Sequence, residues 1–407
     1  MKVSKFYLNY ITILFIAFLY TGYSFLQIDR TSGVSAMSRT YNSIIGLIAL
    51  ISMVAFIVTN YKNIVFKKSI VLGVVITWII LIIIQTILTG DGLERIIINF
   101  YYVTIWPVSF VFFYLLSIKT SSSDSDIIVT RLIFLSVISL LLYYIMAKSS
   151  FALLGESIGS IGSSYYLLCF LPWLFLEKNK NLRYILLALF LFTILLSSKR
   201  TSIIAAGLFI LVYIITATRN RNVVNRFFLV CVIAVLIFYL FYYVDQNVMG
   251  GHITERFSNF ERGADTRDEI RGLTLALFYN SSLYEQLIGH GYNTVITTNP
   301  LELSAHNDYV ETLYDHGLIL FILQIIFVIR LYYLSFKLYK NKSSLFPPLF
   351  ASVNMYVLMA YTTHLILYPY YFCFLTGFWG YVEGKFVHKR NNLAYKYMVD
   401  TVPQSIS

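Results

Sequence analysis

Polar residues in this chain gather in short clusters between long apolar runs. The runs occupy 7–27, 41–59, 70–88, 96–117, 127–146, 161–176, 184–198, 201–217, 227–244, 317–335, 345–363 and 368–384. A helix of about 20 apolar residues crosses a hydrocarbon core, because each residue adds 1.5 Å of rise. The pattern predicts an all-α, polytopic membrane protein with about twelve transmembrane helices. The seventh and eighth runs are short and parted only by Lys199 and Arg200, so they read as a broken hairpin. The first run is long enough to span by itself, so no cleavable signal peptide is expected.

Composition agrees with this class. The chain is 58% hydrophobic and 13% charged, with a mean hydropathy of +0.71, more apolar surface than a soluble domain can bury. The many Tyr and Phe residues cluster near run ends, where membrane interfaces favour aromatic rings. Cys169, Cys231 and Cys373 lie inside apolar runs, with neither a disulfide framework nor metal-type spacing.

Positive charge orients the stack. Most of the 31 lysines and arginines fall on one set of alternating connections, among them Lys62–Lys68, Lys178–Arg183 and Arg219–Arg226. Cytoplasmic loops carry such an excess, so both termini are expected inside. The net charge of +11 is then a topology signal rather than a nucleic-acid footprint. The expected organisation is nine helices over 1–244, a large extracytoplasmic loop over 245–316, three helices over 317–384 and a cytoplasmic tail over 385–407.

The loop of about seventy residues stands apart, since long ordered loops are usually functional. Thr266 and Glu269 form a T-x-x-E capping pattern, predicting a helix start there that makes Arg267 and Arg271 neighbours on one face. Asn280, Ser281 and Ser282 should end that helix. LIGHGYN, with glycines flanking His290, and a turn at TTNP follow. In SAHNDYVETLYDHG, Asn307 is placed to cap a helix entering the tenth span. His306 then sits before a positive helix end, which favours the neutral ring a base requires. Lys199 and Arg200 are expected on the same membrane face. Cations beside an apolar bundle suit a ligand with a lipid tail and an anionic head, and arginine grips pyrophosphate oxygens bidentately.

Four stretches, SSKRTSII, ADTRDEIRGLTLALFYNSS, LIGHGYN and AHNDYVETLYDHGLI, occur in an order that resembles the O-antigen ligase and polysaccharide polymerase family of bacterial envelope glycosyltransferases. The resemblance runs from Ser197 to Leu320; its most specific part is the H-N-x-x-x-E pattern, and Leu320 departs from a glycine common there. It implies a GT-C-like membrane enzyme of the bacterial cytoplasmic membrane, with its site on the outer face and no cofactor or metal. The donor would be an oligosaccharide on a polyprenyl pyrophosphate, and the acceptor a glycan hydroxyl. By position, Arg200 and Arg267 would grip the pyrophosphate and His306 would orient or deprotonate the acceptor. Arg271 is a further phosphate candidate from its helix spacing, and Asp308 and Glu311 are candidates for orienting His306 or binding sugar. Chain-length regulator and flippase proteins are the implied protein partners.

A polymerase of lipid-linked repeat units is the favoured reading, and a ligase moving glycan to lipid A core or another acceptor is the alternative. A lipid-linked oligosaccharide flippase fits less well, because transporters place polar groups at mid-membrane, where these runs have almost none. Asp124 and Asp126 form a DxD on the predicted inner side and read as a solvated turn. His252, His290, His316 and His364 match no metal spacing.

Overall fold

The computed structural model describes residues 36–64, 69–89, 93–120, 122–153, 164–220, 222–258, 260–301, 303–366 and 369–401. Among them the protein is all-helical. In chain order the helices are α1 (Ala36–Asn60), α2 (Leu72–Thr89), α3 (Leu93–Lys119), α4 (Ser122–Leu153), α5 (Ser164–Leu174), α6 (Lys180–Leu196), α7 (Arg200–Ala217) and α8 (Val223–Asn247). They continue with α9 (His252–Ser258), α10 (Phe260–Asn280), α11 (Leu283–Ile288), α12 (Thr294–Thr298), α13 (Asp308–Lys340), α14 (Phe346–Thr362) and α15 (Pro369–Thr401). Every apolar run beyond the first coincides with a helix; the run at 7–27 lies outside the described residues. Six described helices contain a segment long and apolar enough to cross a membrane, namely those beginning at Leu72, Phe100, Asp126, Arg200, Val223 and Asp308.

The bundle closes around α3, where 89% of the apolar 18-residue window within Phe100–Lys119 is buried. Its partner α15 approaches at backbone distance. A Cβ on Gly380 would lie 2.1 Å from the Phe110 carbonyl oxygen, and one on Gly384 would lie 2.4 Å from that of Tyr114. Lipid tails are as apolar as leucine, so helices in a bilayer associate through such small-residue contacts. Aromatic rings fill the centre: Trp78 meets Trp106 at 5.3 Å, Trp106 meets Phe372 at 5.4 Å, and Tyr356 meets Trp379 at 5.4 Å.

Helix α2 is a strut tied at both ends. At its start the buried carboxylate of Glu383 accepts from Ile70 N at 2.5 Å, Val71 N at 2.7 Å and Ser69 Oγ at 2.9 Å. Free N–H groups and the helix dipole favour a carboxylate there. At its other end Gln85 donates through Nε2 to the carbonyls of Ile288 (2.5 Å) and Asp315 (2.8 Å), and its Oε1 accepts from His316 Nδ1 at 2.8 Å. The strut therefore fixes the segment that carries the polar motifs.

That segment folds as four helices, α9 to α12, held by buried carboxylates. Asp245 caps α9, accepting from Ile253 N at 2.8 Å and Thr254 N at 3.2 Å. Asp315 caps α12, accepting from Asn293 N at 2.9 Å, Thr294 Oγ1 at 2.8 Å and Val295 N at 3.0 Å. The helix carrying Arg267 and Arg271 starts at Phe260, so Thr266 is interior rather than a cap. Once a helix is nucleated, each added residue gains a hydrogen bond, and extension through FERGAD outweighs a local capping pattern. The same S/T-x-x-E grammar does operate at Ser282, whose side chain and Glu285 form a reciprocal box opening α11. Asp124 and Asp126 also differ from a solvated turn. They lie in the first turns of α4, with Asp124 buried and Asp126 paired to Lys178 Nζ at 2.6 Å.

Helix α13 breaks at Gly317, where φ is 74° and ψ is 174°. The break seats Gly317 against Gly289, whose φ is 90°. Gly291 N donates to Asp315 O at 2.8 Å and His290 N to Tyr314 O at 3.3 Å. A Cβ on Gly317 would lie 2.5 Å from Gly289 N, and one on Gly289 would lie 2.4 Å from Asp315 O. Both positions demand glycine for backbone conformation and for space. Gly317→Ala should therefore cost about 1–3 kcal/mol from backbone strain alone. Thermal unfolding in detergent should show a lowered midpoint, and an unchanged midpoint would contradict this account of the kink.

Candidate active site

The site forms where the start of α7, the face of α10, the start of α13 and the turn after α14 meet. Asn307 caps α13 as its sequence position predicts, accepting from Tyr309 N at 3.0 Å and Val310 N at 3.1 Å. His306 precedes it with φ at +49°, a left-handed conformation that costs a non-glycine residue free energy unless its surroundings fix it. They do so here. His306 N donates to Glu311 Oε1 at 2.9 Å and lies 3.2 Å from Ser304 Oγ. Its carbonyl accepts from Arg271 Nη2 at 3.4 Å.

Ser198, just before Arg200, is also left-handed, with φ at 51°. The turn it makes between α6 and α7 projects Lys199 and Arg200 from a helix start. That start is tied to α5. Ser164 and Ser202 hydroxyls meet at 2.6 Å, Tyr165 OH meets Thr201 Oγ1 at 3.0 Å, and Lys199 Nζ lies 4.5 Å from the centre of the Tyr165 ring. Two strained backbone positions thus flank one cluster of cations.

Electrostatics bring these pieces together. The charge of Arg267 acts on Arg200 across the gap between α10 and α7. His306 feels Arg267, Lys199 and Arg271 at once. Burial first, then His364 and these cations, hold the His306 ring down to about 3, well below an ordinary histidine. Its imidazole is neutral at physiological pH, the form with a lone pair that can accept a proton.

The remaining predicted residues divide in contact. Glu311 is 2% exposed and touches His306 directly. Asp308 faces the turn after α14, where its Oδ1 accepts from Ile366 N at 3.1 Å. Arg271 donates to Asp268 Oδ1 at 3.0 Å and Tyr361 O at 3.0 Å, with its guanidinium over the Tyr361 ring at 5.2 Å. His290 packs instead in the Gly289 turn, its ring stacked on Tyr314 at 4.1 Å.

One residue of the cluster carries no local sequence signal. His364, at the end of the eleventh apolar run, stacks on His306 with ring centres 4.7 Å apart. Its Nδ1 lies 3.3 Å from Glu311 Oε1 and meets Ser304 Oγ. Only the fold brings it there. Among the described residues no group of three His, Cys, Asp or Glu side chains is arranged to hold a metal ion.

A pH dependence follows from the His306 ring. Its folded value lies below its unfolded one, so between about 6.5 and about 3 the unfolded chain binds more protons. The protein should therefore lose stability as pH falls through that window, relative to His306→Ala, which has no ring to protonate. Parallel unfolding curves for the two proteins from pH 7 to pH 4 would contradict the assignment.

No curated protein matches the chain significantly. Residues 185–325 match the family model described as O-antigen ligase, a segment that contains Arg200, Arg267, Arg271, His306, Asp308 and Glu311. This stretch is thus similar to the O-antigen ligase family, whose members are enzymes of the glycosyltransferase kind.

Proposed function

We propose that the protein polymerises oligosaccharide repeat units of a bacterial surface polysaccharide, using a polyprenyl-pyrophosphate-linked donor on the outer face of the cytoplasmic membrane. The observation that carries this reading is the neutral His306, held in a left-handed backbone and surrounded by Lys199, Arg267 and Arg271. An acceptor sugar hydroxyl approaches the histidine side. Its oxygen forms a bond to the anomeric carbon while the bond to the pyrophosphate oxygen breaks. The hydroxyl proton passes to His306, and the charge growing on the lipid pyrophosphate is met by Arg200 and Arg267. Fixed cations aimed at developing charge need no reorganisation during the reaction.

Arg271 divides its guanidinium between Asp268, the Tyr361 carbonyl and the His306 carbonyl. In this reading it contributes field to the phosphate site while it clamps the His306 loop. Glu311 orients His306 through its backbone, and Asp308 holds the neighbouring turn. The guanidinium groups do the charge neutralisation, so the reading needs no metal or other cofactor. In this reading the chain crosses the membrane twelve times with both termini cytoplasmic, and the 245–316 segment lies outside, where flipped lipid-linked repeat units would arrive and where flippase and chain-length regulator proteins would work beside it.

The family's description as O-antigen ligase favours a second reading, a ligase that transfers the same lipid-linked glycan to lipid A core or another acceptor. The two share donor chemistry and differ in acceptor. Purified protein in nanodiscs, given a cognate lipid-pyrophosphate repeat unit alone, should yield a ladder of lengthened products. His306→Ala should abolish it, and Arg267→Ala should lower kcat/KM about 10²-fold or more. A ladder that survives His306→Ala would discard the base. Product only when a separate acceptor is added would establish the ligase, and intact donor in every mixture would overturn glycosyl transfer.

A further inference from the structure

We propose that His364 is a positioning residue for glycosyl transfer, a buried ring that holds the imidazole of His306 in its reactive orientation and is itself oriented by Glu311. The inference rests on the glycosyl-transfer reading for its chemistry and on geometry for its placement.

Among the described residues, neither ring nitrogen of His306 has a protein hydrogen-bond partner. Those nitrogens are thus left for substrate, and no hydrogen bond fixes the plane of the ring. The stacked ring of His364 does, at 4.7 Å and 22° between planes. His364 is only 5% exposed, so it supports the site from behind.

Its own orientation is determined. A carboxylate oxygen only accepts, so His364 Nδ1, 3.3 Å from Glu311 Oε1, carries the proton. The same oxygen accepts from the His306 backbone N–H at 2.9 Å. One atom of Glu311 thus sets the backbone of one histidine and the ring of the other. The turn bearing His364 is anchored independently: Asp308 N donates to Thr363 O at 3.1 Å, Ile366 N to Asp308 Oδ1 at 3.1 Å, and Asn307 Nδ2 to Tyr361 O at 3.1 Å. The two residues that follow His306, Asn307 and Asp308, therefore grip the end of α14 and the turn that carries the supporting ring. An unanchored catalytic group loses rate steeply with small displacements.

The test uses full-length protein in nanodiscs with His364→Ala, His364→Phe and His364→Asn. Phe keeps the stacked ring and loses the donor; Asn keeps a donor and loses the ring. Turnover is measured with a cognate lipid-pyrophosphate repeat unit. In parallel, mass spectrometry follows the rate at which diethyl pyrocarbonate modifies His306, which needs no turnover. His364→Ala should lower kcat about 10²-fold, as expected for a misaligned group, with KM little changed. It should also speed modification of His306 severalfold. Phe should restore more of both properties than Asn. Wild-type activity with His364→Ala within about twofold of it, and an unchanged modification rate, would overturn the inference alone. A rise in KM with kcat unchanged would overturn it as well, since that marks lost binding. A wild-type protein that transfers no sugar would instead overturn the functional reading and this inference with it, whatever the modification rates. A His364→Ala protein that fails to fold would leave the comparison of Phe with Asn to decide, and equal values for those two would refute the stacking role.

Discussion

The site depends on one carboxylate oxygen. Glu311 Oε1 accepts from the His306 backbone and from Ser304 Oγ at 2.5 Å, and it faces His364 Nδ1. A carboxylate buried to this degree is costly unless its lone pairs are occupied. The partners gathered on Oε1 are the His306 backbone, the Ser304 hydroxyl and the His364 ring. Without it, only the Ser304 Oγ and Arg271 contacts would be left to offset the strain of a left-handed histidine, and the loop before α13 would lose its shortest tether. Similar logic recurs nearby: Asp245 and Asp315 each seat a short helix, and Glu383 seats α2. Acids that look misplaced in so apolar a chain are its fasteners.

These fasteners couple the site to the bundle. The α3–α15 pair packs at backbone distance through Gly380 and Gly384 and fixes the centre. Glu383 hands that rigidity to α2, and Gln85 passes it to the Gly289–Gly317 contact. From there the short first part of α13 carries Glu311 and, through it, His306. The cations arrive by a different route, on the hairpin turn before α7 and on α10. The site is thus an intersection of separately anchored elements, an arrangement that fits the proposed reaction between a lipid-borne donor and a separate acceptor.

Much of this was legible in the sequence because it is written locally. Apolar runs of helical length predict the helices, and Asn307 ahead of a periodic segment predicts its cap. Arg267 and Arg271, four apart, share a helix as their spacing requires. What local pattern could not supply was pairing across long separations. His364 lies 58 positions from His306, in a turn whose sequence resembles any span end. Glu383 reads as an isolated acid in a span until the start of α2 is placed beside it. Thr266 misled for the opposite reason, since a capping pattern has no force where the helix already continues upstream.

The most direct test of the central claim is an experimental structure of the full chain with a polyprenyl-pyrophosphate donor bound. The account predicts phosphate oxygens within hydrogen-bond distance of the Arg200 and Arg267 guanidinium groups, with the sugar's anomeric carbon directed toward the His306 side. Phosphates bound away from both arginines, or a donor whose sugar cannot face His306, would contradict it.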